Sequence, residues 1–190
     1  MRLTSGMLLY HGSYAPINEI DLEKCVAGKD FGRGFYLTED EMQARNFIKN
    51  SLRKAKTVGR ISEEQTYGYV TVFRYREPAE MIPSYVFDSA GKEWLWFVSL
   101  NRRSELAGKF RKILDKDLLN AEIVVGKIAN DTTNPTIMAY LDGLYGDVMQ
   151  ETAVNFAVGQ LRTDRLKNQV CFLSKRAVSC LELVEVKRYG

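Results

Sequence analysis

Three short stretches hold the side chains with chemistry to offer. "LYHGSY" at 9–14 contains His11, the single histidine of the 190-residue chain, followed by Gly12 and Ser13. "GRGFYLT" at 32–38 sets Arg33 and Tyr36 among two glycines, and "NQVCF" at 168–172 carries Gln169 and Cys171. A lone histidine among apolar neighbours is more often structural than a ligand contact, so His11 carries meaning only through its company. The glycines ahead of Tyr36 punctuate a loop that leads into the strand carrying it. Phe47, eleven residues beyond Tyr36, offers a second aromatic face, although it also falls on the apolar stripe of a helix. Cys25, Cys171 and Cys180 are odd in number, and their spacings suit neither a disulfide framework nor a zinc site. With no second histidine to activate it, Cys171 reads as a small buried hydrophobe, and no metal centre is expected. Neither a GxxxxGK[ST] phosphate loop nor a GxGxxG following a strand is present.

The elements that must position these residues follow from periodicity. "MLLYH" at 7–11 and 34–37 read as short strands separated by a glycine loop. Thr38 is the expected N-cap of a helix over 39–56, with Glu41 completing a capping box and Ala44, Phe47, Ile48, Leu52 and Ala55 forming one apolar stripe. Strands are expected at 67–75, 123–130, 169–173 and 180–189. Helices are expected over "GKEWLWFVSLNRRS", where Trp94, Phe97 and Val98 share a core-facing side, and near 135–145 and 150–162. This mixture, without regular βαβ alternation, predicts an α+β fold in one domain over 1–190. The composition, 45% apolar and 27% charged with a net charge of +3, is that of an ordinary globular chain. No apolar run has the length of a signal peptide or a membrane span, which gives a cytoplasmic expectation. From Lys49 to Arg60 five basic residues occur with no acid, either a solvated surface or an approach for an acidic partner.

The order "YHGS", "GRGFY", late "QVCF" strand resembles the ADP-ribosyltransferase superfamily, in its branch related to diphtheria toxin and the poly-ADP-ribose polymerases. It is also similar to an uncharacterised bacterial family of that superfamily that pairs "LYHGS" with "DFGRGFYLT" and a later "EWLxFV". The resemblance spans nearly the whole chain and implies split antiparallel sheets flanked by helices, with NAD as substrate. It implies that His11 bonds the adenosine-side ribose, that Gly12 offers its backbone to the nicotinamide carboxamide, and that Ser13 is a further ribose contact. Tyr36 and Phe47 are then the two faces of a nicotinamide clamp, worth about 1 to 2 kcal/mol. Ala44 stands where that branch has a serine donating to the carboxamide, a contact absent here. Arg33 and Asp30 either meet the pyrophosphate or shape the loop, and Trp94 belongs to the core.

The position of the family's catalytic glutamate is Gln169. Glutamine accepts a hydrogen bond from the ribose hydroxyl beside the reacting carbon but brings no charge, and loss of one such electrostatic partner costs about 10²- to 10³-fold in rate. Glu93 and Asp131 are candidate substitutes. Two readings result: a mono-ADP-ribosyltransferase acting on a macromolecular acceptor, in a bacterial setting a toxin held by an antitoxin protein, or a weak or inactive NAD or ADP-ribose binding module. A 2′-phosphotransferase acting on RNA fits less well, because the arginines that group places around its histidine are absent.

Overall fold

The computed structural model describes residues 1–129, 131–161 and 166–190, and its architecture is α+β. Sheet A has three antiparallel strands in the order β1 (Leu8–Ser13), β3 (Gly68–Tyr75), β7 (Leu181–Tyr189). Sheet B has four in the order β2 (Phe35–Leu37), β6 (Asn168–Phe172), β5 (Ile123–Lys127), β4 (Ser84–Val86), antiparallel except for the β4–β5 pair. The two sheets meet at one seam, where the Tyr10 N–H donates to the Thr38 carbonyl at 2.8 Å and the Thr38 N–H to the Tyr10 carbonyl at 3.0 Å. Below that seam Leu9 and Phe73 of sheet A share a core with Phe35, Val125, Val170 and Phe172 of sheet B.

Helix α1 (Glu41–Thr57) covers the other face of sheet A, burying Ala44, Ile48, Leu52 and Ala55. Its closeness is set by glycines. A Cβ on Gly12 would lie 1.9 Å from the Ala44 carbonyl oxygen, and one on Gly68 2.5 Å from the Ile48 side chain. The other face of sheet B lies under α2 (Lys92–Arg102), which buries Trp94, Leu95 and Phe97 through Leu100, and under α5 (Asn134–Leu141) and α6 (Glu151–Gln160). Among the described residues there are also three short α-helices, α3 (Ala107–Arg111), α4 (Lys116–Leu119) and α7 (Lys175–Val178), and two 3-10 turns at Leu22–Lys24 and Ser104–Leu106.

Several expectations shift. Asp40, not Thr38, caps α1, accepting from the Gln43 N–H at 3.1 Å, while the Thr38 hydroxyl accepts from the Asp40 N–H at 3.2 Å. Phe47 is off the buried stripe, with 40% of its surface exposed. The strand expected to reach residue 130 ends at Lys127, and the 135–145 helix stops at Leu141, past which Gly143 turns the chain with a positive φ. The end of the helix expected over 150–162 falls at Arg162, outside the described residues.

Candidate functional site: an open strand edge beside a buried polar knot

In an antiparallel strand successive residues turn their backbone groups to opposite edges. The Tyr75 N–H donates to the Met7 carbonyl, so the odd residues of β1 pair with β3, and Tyr10 pairs across the seam with Thr38. Gly12 therefore turns its N–H and C=O the way Tyr10 does. No strand follows there, because β2 ends at Leu37 and the chain has entered α1 by Glu41. Gly12 is buried, yet neither group has a partner among the described residues. Buried backbone groups are almost always paired, so this edge stands out.

His11 is half-buried, with its ring stacked on Phe35 at 4.6 Å and its Nδ1 2.8 Å from the Tyr36 carbonyl oxygen. A carbonyl only accepts, so Nδ1 carries the proton and neutral His11 keeps Nε2 as a free acceptor. Burial supports the neutral form, lowering the pKa against the opposing pull of the Tyr36 carbonyl. Ser13 is buried, and its hydroxyl accepts from the Ala15 N–H at 3.4 Å.

In the glycine loop the Tyr36 hydroxyl donates to the Gly32 carbonyl at 2.7 Å and accepts from the Phe31 N–H at 3.0 Å. Burial drives its pKa far above the ordinary tyrosine range. Gly32 sits at φ +94, a conformation glycine adopts without strain, and a Cβ on Gly34 would strike the Cys171 sulfur at 2.5 Å. Of the two roles open to Arg33, the bonds present are loop-shaping ones: its Nε donates to the Cys25 carbonyl at 3.0 Å and its Nη2 to the Glu23 carbonyl, so the guanidinium braces the preceding turn. Lys29 of the loop is half-buried, and burial, followed by the neighbouring Lys54 ammonium of α1, lowers its pKa.

Gln169 pairs opposite Gly126 of β5 and shares a sheet face with Cys171 and so with Tyr36, to which Cys171 pairs. It is buried, and its Nε2 donates to Asp30 Oδ2 at 3.0 Å and reaches the Lys127 carbonyl at 3.5 Å. Asp30 also accepts from the Ala129 N–H at 2.9 Å and, on Oδ1, from Arg102 Nε at 3.1 Å and Nη2 at 2.5 Å. Arg102 Nη1 continues to Asn134 Oδ1 at 2.7 Å, and Asn101 Nδ2 donates to the Asp30 carbonyl at 3.3 Å. Of the two roles open to Asp30, this geometry is the loop-shaping one. Asp30 lies 139 residues from Gln169, so no local spacing reveals the pair. Arg102, Asn101 and Asn134 were missed too; "NRR" at the end of an apolar helix was the one available signal.

Of the two substitute carboxylates, Glu93 is not brought to this place. Glu93 accepts from the Tyr85 hydroxyl at 2.5 Å, on β4 at the edge of sheet B opposite β2, and the two together push the Tyr85 pKa above its usual value, behind the effect of burial. Asp131 is exposed. Ala44, the position of the missing serine, is buried with its carbonyl against Gly12. Trp94 is fully buried and its indole N–H donates to the Lys127 carbonyl at 3.0 Å. Surface hollows of about 530 and 620 Å³ involve neither His11, Tyr36 nor Gln169. Among the described residues no His/Cys/Asp/Glu group could hold a metal, and no helix is long and apolar enough to cross a membrane.

No curated protein matches this sequence. A family model described as "Protein of unknown function (DUF3990)" matches residues 7–183, a span that includes His11, Tyr36, Phe47, Asp30 and Gln169, and the chain belongs to that family.

Proposed function

We propose that the chain is an NAD-dependent mono-ADP-ribosyltransferase that releases nicotinamide and passes ADP-ribose to a macromolecular acceptor. The observation that carries this reading is the open edge at Gly12. A carboxamide needs one donor and one acceptor side by side, and a strand edge without a neighbour supplies that pair. Three other features support it. His11 has Nε2 free to accept from a ribose hydroxyl, Phe47 is exposed enough to stack, and Tyr36 has its ring held by two hydrogen bonds at the hydroxyl. Lys29 and Lys54 carry the charge suited to the pyrophosphate.

In the reaction the bond between nicotinamide nitrogen and ribose C1′ breaks, the electron pair leaving with the nicotinamide, which becomes neutral. The positive charge passes to the sugar as an oxocarbenium-like centre. An acceptor nucleophile then bonds to C1′ and gives up its proton. Gln169 accepts from the ribose hydroxyl beside that carbon. Lys49, Arg53, Lys54 and Arg60, exposed along and just past α1, form the basic surface on which the acceptor, or an acidic antitoxin protein, would rest. Incubation with labelled NAD and cell lysate tests the claim. Labelled acceptor together with free nicotinamide is expected, and absence of both overturns it.

The neutrality of Gln169 favours a second reading, a binding module without turnover. Calorimetric titration with NAD beside the nicotinamide-release assay separates them, since the module binds without releasing.

A further inference from the structure

We propose that Asp30 supplies the negative charge of the site and delivers it through Gln169. The idea rests on the NAD reading above. Asp30 is buried, and its two oxygens have separate duties: Arg102 takes Oδ1, while Oδ2 receives the Ala129 N–H and the Gln169 amide. A carboxylate oxygen here can only accept, so the NH₂ of Gln169 must face Asp30 and the amide cannot flip. Its second N–H lies toward the Lys127 carbonyl. Both donors are thus engaged by the fold, and Oε1, which accepts nothing among the described residues, is left as the free acceptor.

A hydrogen bond from an amide to a carboxylate shifts electron density toward the amide oxygen, strengthening it as an acceptor by about 10–30%. Gln169 then stands between a buried anion and the ribose hydroxyl, in the place a glutamate would fill directly. Asp30 is a positioning residue: it fixes the direction and raises the strength of an acceptor that touches the substrate. Pairing with Asp30 satisfies the buried Gln169 NH₂ and, in the same contact, fixes which end of the amide is left to meet a ligand.

The test compares NAD with its analogue lacking the ribose hydroxyl beside C1′, by calorimetric affinity and nicotinamide release, in the wild type and in Asp30→Asn. A neutral hydrogen bond contributes about 1 kcal/mol, or roughly fivefold in affinity, and an Asn at position 30 no longer fixes which end of the Gln169 amide meets the hydroxyl. Losing the hydroxyl should therefore weaken wild-type binding about fivefold but D30N binding no more than about twofold. The D30N rate should fall while its Kd for the analogue stays unchanged. An equal hydroxyl penalty in both proteins overturns the proposal, because a merely structural role leaves that ratio unmoved. If D30N does not fold, D30N/Q169E returns one carboxylate to the cluster. It should discriminate the hydroxyl at least as well as the wild type, and failure to do so also overturns the proposal. Absence of NAD binding by the wild type removes the NAD reading itself, a result distinct from an unchanged ratio.

Discussion

The β1 stretch "YHGS" and the loop from Asp30 to Leu37 lie next to each other and treat their polar groups in opposite ways. Around the loop, nearly every strong donor and acceptor is spent: Asp30 on three donor residues, Tyr36 on two backbone groups, Arg33 on two carbonyls. Along β1, Gly12 leaves a donor and an acceptor open and His11 leaves Nε2 open. Buried polar groups are nearly always paired, so the loop reads as scaffold, and on the proposed function the unpaired edge is where the carboxamide docks. The comparison reassigns residues that looked equivalent in sequence. Arg33 and Tyr36 hold the loop's shape through their hydrogen bonds, and on the proposed function Gly12, His11 and Phe47 offer unspent groups to the ligand.

The largest effect should come from the knot. Arg102→Met strands the Asp30 carboxylate at a position where the two side chains are 16% and 10% exposed, and should cost about 3–5 kcal/mol in urea denaturation. A loss below about 1 kcal/mol would break the claim that the loop is a saturated scaffold. Gly12→Ala comes next, since its Cβ would overlap the Ala44 carbonyl and α1 has to move, at about 3 kcal/mol, visible as a lowered melting temperature. Tyr36→Phe leaves the Phe31 N–H and Gly32 carbonyl without their partner, and about 1–2 kcal/mol of stability should go. Phe47→Ala sharpens the contrast from the other direction. Being exposed, it should alter stability by less than about 0.5 kcal/mol, yet weaken nicotinamide binding about five- to thirtyfold in a titration.

The smallest effect is one of pH. Because burial lowers the pKa of folded His11 below 6.5, the unfolded chain binds a proton that the folded chain refuses in the window beneath that value. Stability should therefore fall as pH drops below about 6.5, and denaturation of His11→Gln at pH 7.5 and 5.5 should show a flatter acid limb. The carboxylates with lowered values, Asp40 beside Lys167, Glu41 beside Lys187 and Glu122 beside Arg176, act in a separate, more acid window. Their stabilisation is lost as pH falls through and below the ordinary carboxylate range.

Much of this fold was legible wherever a residue pattern answers to one local rule. The stripe Ala44, Ile48, Leu52, Ala55 marks α1 because burial on one face recurs every three to four residues. The α1 cap was misplaced because "LTEDEMQ" contains two overlapping solutions, Thr38 with Glu41 and Asp40 with Gln43, and the second prevails. Strand β4 was not legible: three residues after Pro83 have no period to display, and they exist as a strand through parallel pairing with β5. The Asp30–Gln169–Arg102 knot was hidden for the same physical reason, since three-dimensional closure alone brings residues 30, 102 and 169 together.

The lone backbone of Gly12 also makes the molecule its own reporter. In hydrogen–deuterium exchange the Tyr10 and Thr38 amides are held in reciprocal bonds and should exchange slowly, whereas the Gly12 amide, two residues along the same strand, has no acceptor to break before it exchanges. A fast amide set within a slow strand would collapse to the slow class when a carbonyl oxygen docks on it. One backbone proton thereby records whether the edge is open or filled, without label, turnover or substitution.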